Sequence, residues 1–202
     1  MLVPADRDVP PAIMSWFHSI MQPPIIQLAQ AIAKSAFSCA QQLKVHINEK
    51  RFATVKERND QYVYLVWEYL FFFMHICAMK AQRRLGAERA LALCDELSPC
   101  IVGHTIEMLF GRIAEDAAER VEKDFLEELN RAEALYSECK EIMIRNDLVT
   151  DKGVVNLLGL RVAEACGSPS NPITLAVAQG AGVDGWTKMQ LGELIDAVGK
   201  EL

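Results

Sequence analysis

One stretch constrains what this chain can become more than any other. Residues 62–79 read YVYLVWEYLFFFMHICAM, eighteen residues interrupted only by Glu68 and His75. That is too long for an ordinary strand and long enough for five turns of helix. A helix that is apolar all round needs partners on every side, supplied by other helices or by lipid. Lipid is the poorer solvent here. Glu68 would lie in hydrocarbon at a cost of about 3 kcal/mol, His75 would add to it, and no second span shelters either. The segment therefore reads as the core helix of a soluble bundle, over about Asn59 to Leu85. Gly86 closes it behind Lys80, Arg83 and Arg84, basic residues that suit a helix C-terminus.

The remaining chain supplies the partners. Ile13, Trp16, Phe17 and Ile20 fall at i, i+3, i+4 and i+7 in a short helix from Pro10 to about Met21. Pro23-Pro24 opens the next, to about Asn48, where Ile25, Leu28, Ala29, Ile32, Ala36, Cys39, Ala40 and Leu43 form one broad face. A polar stretch, Asn48 to Gln61, leads into the core helix. Beyond it, a short helix over Ala87–Leu97 is expected to stop at Ser98-Pro99, a cap and first-turn proline that open another through Phe110.

A long charged helix follows, over about Ile113–Arg145. Val121, Phe125, Leu129, Ala132, Tyr136, Cys139 and Met143 alternate by four and three, a heptad-like seam. Asp116/Arg120, Glu119/Lys123, Glu127/Arg131 and Glu141/Arg145 are acid-first pairs at i,i+4. Ten acidic and five basic residues give this segment −5 of the chain's net −6. The acidity is thus one helix's solvated face. At net −6 the chain has no global electrostatic reason to bind nucleic acid or an anionic membrane. A basic cluster over Lys44–Arg58 has Phe52 as its one aromatic, too few for a base-stacking surface, and reads as solvated.

Toward the C-terminus, Thr150-Asp151 can cap a helix to about Cys166, and Gly167–Pro172 is a turn cluster. Gly180-Ala-Gly-Val-Asp-Gly185 matches G-x-G-x-x-G literally. Only seventeen residues follow it, leaving no return strand and no room for the ribose-binding acid, so it reads as a turn between two helices. Thr187 and Gln190 would form a capping box for a last helix to about Val198. The fold class expected is all-α: a bundle of about eight helices, three of them long, with a small C-terminal helical lobe. The division is 1–149 for the bundle and 150–202 for the lobe, unless the two form one domain.

The six cysteines are scattered with no C-x-x-C, and most sit in apolar helical stretches. They read as reduced thiols of a cytoplasmic protein, and the N-terminus shows no secretion signal. No G-x-S-x-G, P-loop or H-E-x-x-H supplies a catalytic centre. Two constellations remain. Glu68, flanked by Trp67 and large apolar residues, would be paired with a base, hydrogen-bonded to a Tyr or Trp donor, or protonated, and with His75 and Trp67 it could line a ligand pocket. Glu68 and His75 share a helix face but lie about 10 Å apart along the axis, too far to grip one ion. His104 and Glu107, one turn apart, are the candidate ligands for Fe, Mn or Zn, although a di-metal bundle needs a second such pair and further glutamates. Two functions follow as expectations. One is a non-enzymatic interaction or regulatory module, self-associating as a homodimer. The alternative is a metal- or small-ligand-binding helical protein, or an enzyme built on that binding, with a pocket around Glu68, His75, His104 and Glu107.

Overall fold

The computed structural model describes residues 22–47, 55–139, 144–145, 148–149 and 153–202. The helix expected over Pro10–Met21, the first half of the polar stretch after Ile47, and the Thr150-Asp151 cap lie outside the described residues. Those described are overwhelmingly helical. They comprise α1 (Pro24–Leu43), α2 (Val55–Leu85), α3 (Ala87–Phe110), α4 (Glu115–Ser137), α5 (Val154–Ala165), α6 (Pro172–Lys188) and α7 (Leu191–Gly199). A single turn of 3₁₀ helix, Lys44–His46, extends α1.

The apolar run of 62–79 lies within α2, and every other described helix packs against it. Leu65, Tyr69, Leu70, Phe71, Phe72, Phe73 and Ile76 are fully or almost fully buried. At about 1.5–3 kcal/mol for each large side chain withdrawn from water, this one helix supplies much of the force that gathers the rest. Among the described helices it is also the one long and apolar enough to cross a membrane, yet 67% of its most apolar window is buried inside the fold. The chain's own helices supply its partners.

α1 meets it with the face expected from the sequence: Leu28, Ala29, Ile32, Ala36, Cys39, Ala40 and Leu43 are buried and Ile25 is partly so. α4 contributes Phe125, Leu129, Ala132 and Tyr136, the heptad seam, while its acidic outer face stays in water. Of the surface pairs anticipated there, Asp116 and Arg120 meet at 2.8 Å. Arg131 goes to Glu128 and Lys123 to Glu127, each in place of the acid expected.

Four local expectations are corrected. Ser98-Pro99 does not divide two helices; α3 runs straight through, with Pro99 inside it. The proline removes one backbone donor and crowds the turn before it, a cost of about 3 kcal/mol. Both halves nonetheless bury apolar faces in one core, with Ala90, Leu93 and Leu97 before the proline and Ile101 and Val102 after it. The Ser98 hydroxyl, rather than capping, donates back to the Cys94 carbonyl at 2.8 Å. The charged helix stops at Ser137, short of Arg145, and Ile144–Arg145 instead pairs antiparallel with Leu148–Val149.

The glycine-rich segment is not a turn. α6 passes through Gly180, Gly182 and Gly185 as continuous helix, and Asn171 caps it by accepting from the backbone N–H groups of Ile173 and Thr174. Two of these glycines are there for close approach. A Cβ on Gly182 would come within 2.4 Å of Leu158 Cδ2, and one on Gly185 within 2.8 Å of both Cys39 Sγ and Phe73 Cζ. Gly159 of α5 is tight in the same way against the Gln179 side chain, at 2.8 Å. Finally, Thr187 donates to the Val183 carbonyl instead of capping α7, which starts from Gln190 in a left-handed conformation (φ 50°).

Gly180 and Gly185 should respond oppositely to alanine. At Gly180 nothing lies within 4 Å of a new Cβ, so Gly180→Ala is expected to stabilise by about 0.5–1 kcal/mol through helix propensity. Gly185→Ala must displace a buried ring and a thiol, and is expected to cost about 1–3 kcal/mol. Urea unfolding monitored by circular dichroism reads both; a neutral Gly185→Ala would refute the close-approach account.

Candidate functional site

The polar interruptions of α2 organise a buried line of side chains where α2, α4 and α5 meet. Glu68 is held by Arg161 of α5, whose Nε and terminal nitrogen donate to its two oxygens at 2.5 and 2.7 Å. Both side chains are largely withdrawn from water, at 13% and 17% exposure. Burial raises the Glu68 pKa above the ordinary carboxylate range, and the Arg161 guanidinium opposes that rise. Of the outcomes expected for Glu68, pairing with a base is the one found. The base was hard to name from the sequence, but a signal existed: Arg161 is the lone cation in α5, as Glu68 is the lone acid in residues 62–79.

Tyr136 lies beside this pair, fully buried, with its hydroxyl in no hydrogen bond. Burial drives its pKa well up and the Glu68 carboxylate adds to the rise, whereas Arg161 opposes it. On its other side the Tyr136 ring stacks on His75, with centroids 5.3 Å apart. His75 Nδ1 stands 2.9 Å from Glu133 Oε2 of α4, so the proton of this bond sits on Nδ1 facing the carboxylate. Nε2 of the same ring is buried without a partner. Glu68 and His75 thus flank one tyrosine without contacting each other. Trp67 is core, edge-on to Phe125 and to Tyr64 at 5.6 Å in each case.

His104 and Glu107 lie on a more open part of α3, 4.0 Å apart, with Glu107 76% exposed. No hydrogen bond or ion pair joins either of them to Glu68 or His75. Among the described residues, no group of three His, Cys, Asp or Glu side chains converges as metal ligands would. The cysteines are all unpaired. Burial pushes the Cys39, Cys77 and Cys166 thiols up to about 12 and Cys94 up to about 11, leaving little thiolate near neutrality. As a nucleophile, none of these four is primed.

An open space of about 660 Å³ lies elsewhere, at the end of the bundle where α1 finishes, α2 begins and α3 ends. Its apolar wall includes Phe37, Val63, Leu109 and Phe110. Gln41, Lys44, Asn59 and Tyr62 bring polar groups to it, with Lys44 Nζ 5.6 Å from the Tyr62 ring centre. The Tyr62 hydroxyl is shielded from water and makes no hydrogen bond of ordinary geometry. Desolvation raises its pKa, and the nearby Gln41 amide moderates the rise. No periodicity in the sequence marks this place, because it is assembled from three helix ends. None of Glu68, His75, Trp67, His104 and Glu107 lines it. Comparison with protein-family models, curated proteins and solved structures found no match to this chain.

The Glu68–Arg161 pair generates a direct prediction. Arg161→Leu leaves a buried carboxylate without its cation and is expected to cost about 3 kcal/mol, whereas Glu68→Leu with Arg161→Leu should recover most of it. Without the guanidinium the folded-state pKa of Glu68 rises further above its unfolded value. The deficit of Arg161→Leu should therefore vanish in acid, below the ordinary carboxylate range, and grow as pH rises through the raised folded value. Urea unfolding of both variants across pH checks this, and a deficit independent of pH would contradict it.

Proposed function

We propose that this chain is a non-enzymatic interaction module that associates with a second copy of itself through the open end of the bundle. One observation carries the reading: large apolar side chains stand in water there. Met108 and Phe110, in the cavity lining, are 43% and 40% exposed, and Val45, next in sequence to the lining residue Lys44, is 85% exposed. Exposed apolar groups gathered at one place mark contact surfaces more often than scattered ones do. A two-fold contact sets a patch against itself, so it favours an apolar centre with charges of both signs around it. Lys44 lines the cavity, and Asp60 and Glu107 directly adjoin its lining residues Asn59 and Met108 in sequence, so charges of both signs fall near this end.

Two features support a non-enzymatic role. Glu68 and His75 have structural partners in Arg161 and Glu133, and the four most perturbed thiols are shifted away from reactivity. α2 no longer asks for a second subunit, since the chain's own helices cover it. Self-association therefore rests on the exposed end alone. The same reading takes residues 150–202 as a small C-terminal lobe packed on the bundle of 1–149, with α5, α6 and α7 following the strand pair and closing on α1 and α2. A reducing cytoplasmic setting suits six unpaired thiols. Excess acid argues against nucleic acid or an anionic membrane as the partner.

Sedimentation velocity over about a hundred-fold range of concentration tests the association. The expected result is a mass that rises toward twice that of the chain, and a monomeric Val45→Asp/Phe110→Asp variant with an unchanged far-ultraviolet spectrum. A chain that stays monomeric throughout, or a dimer indifferent to both substitutions, would overturn the proposal.

A further inference from the structure

We infer that the cavity formed by the ends of α1 and α3 and the start of α2 is a binding site for a small apolar carboxylate. Its volume of about 660 Å³ falls within the range of about 300–1,000 Å³ that small-molecule sites occupy. Such sites combine a largely apolar wall with a few convergent polar groups, and this cavity has that division. Phe37, Val63, Leu109 and Phe110 offer the wall, enough to take an alkyl or aryl body.

The polar side selects the head group. Among the described residues lining the cavity, Lys44 is the one that is charged, and none is an aspartate or glutamate. Its ammonium stands over the Tyr62 ring, and no ion pair engages it among the described residues. In a chain of net −6, a cation at an apolar hollow that no described carboxylate engages attracts a negative charge. The amides of Gln41 and Asn59 can donate to the same head. One cation with neutral donors suits a monoanion better than a phosphate, whose second charge would go unpaired. The cavity beside Lys80 and Arg84 differs on this point, because Asp196 already holds Arg84 and the lining includes the carboxylate of Glu193.

One chain supplies the whole described lining, but Met108 and Phe110 belong both to it and to the proposed contact, so binding and association are measured separately. Calorimetric titration with decanoate, and with decanol as its uncharged counterpart, separates charge recognition from apolar burial. Decanoate is expected to bind at least about ten-fold tighter than decanol. Lys44→Met keeps the stem but loses the charge, and should bring decanoate down about ten-fold to the level of decanol. Met108→Trp, a half-exposed position on the lining, should weaken both ligands by narrowing the space. Far-ultraviolet spectra confirm that the variants fold. The inference is overturned if decanoate gives no binding heat, if the two ligands bind alike to the unaltered chain, or if Lys44→Met leaves decanoate binding unchanged. Sedimentation in the same buffer reports the oligomeric state separately, so loss of one property is not mistaken for loss of the other.

Discussion

Everything in this fold depends on water being excluded from the middle of α2, residues 65–77, on all sides. A surface helix needs one covered face, but α2 buries ring after ring around its whole circumference, so a pair of helices could not have sheltered it. Six other described helices do so together. Some of those partners are short and weakly amphipathic, and each alone would gain too little to offset its ordering. Packed against a shared apolar rod, each contributes to one continuous core. That is why Pro99 is tolerated inside α3. The faces on either side of it already belong to the same interior.

Covering a helix so fully leaves little space, and the glycines show how little. Gly182 and Gly185 let the α6 backbone settle onto Leu158, Cys39 and Phe73 at distances that a methyl group would violate. Gly159 does the same from α5. Backbone approach of this kind also brings the Ala178 carbonyl to the Tyr69 hydroxyl at 3.1 Å and the Ala181 carbonyl to the Cys39 thiol at 3.1 Å. These buried polar groups are satisfied because small residues allow the helices so near.

The same enclosure dictates the electrostatics. Glu68 and His75 cannot reach bulk water, so α4 and α5 must answer them, with Glu133 for one and Arg161 for the other. Tyr136 sits between the two pairs as a stacked ring whose hydroxyl is buried and unbonded. At the far end, where α1, α2 and α3 finish or begin, enclosure is incomplete. Lys44 and the apolar groups around it are left with surface to offer, and a binding role is argued from that incompleteness.

Helical periodicity in the sequence was enough to determine the class of fold, the central position of the 62–79 segment, the buried face of α1, and the seam of α4 through Tyr136. Each depends on spacing within one helix, which is a local property. It also restricted Glu68 to a paired or neutral state, since desolvation of a carboxylate follows from its immediate neighbours. Only the tertiary structure decided which partner answers it, because Arg161 is 93 positions away and no local rule links them. The G-x-G-x-x-G segment was misleading for the same reason. Glycine's preference for turns is an intrinsic tendency, and the close packing of α6 on α1, α2 and α5 overrode it. The cavity was invisible in the sequence because it is a gap between three helix ends, and a gap is a property of how elements meet.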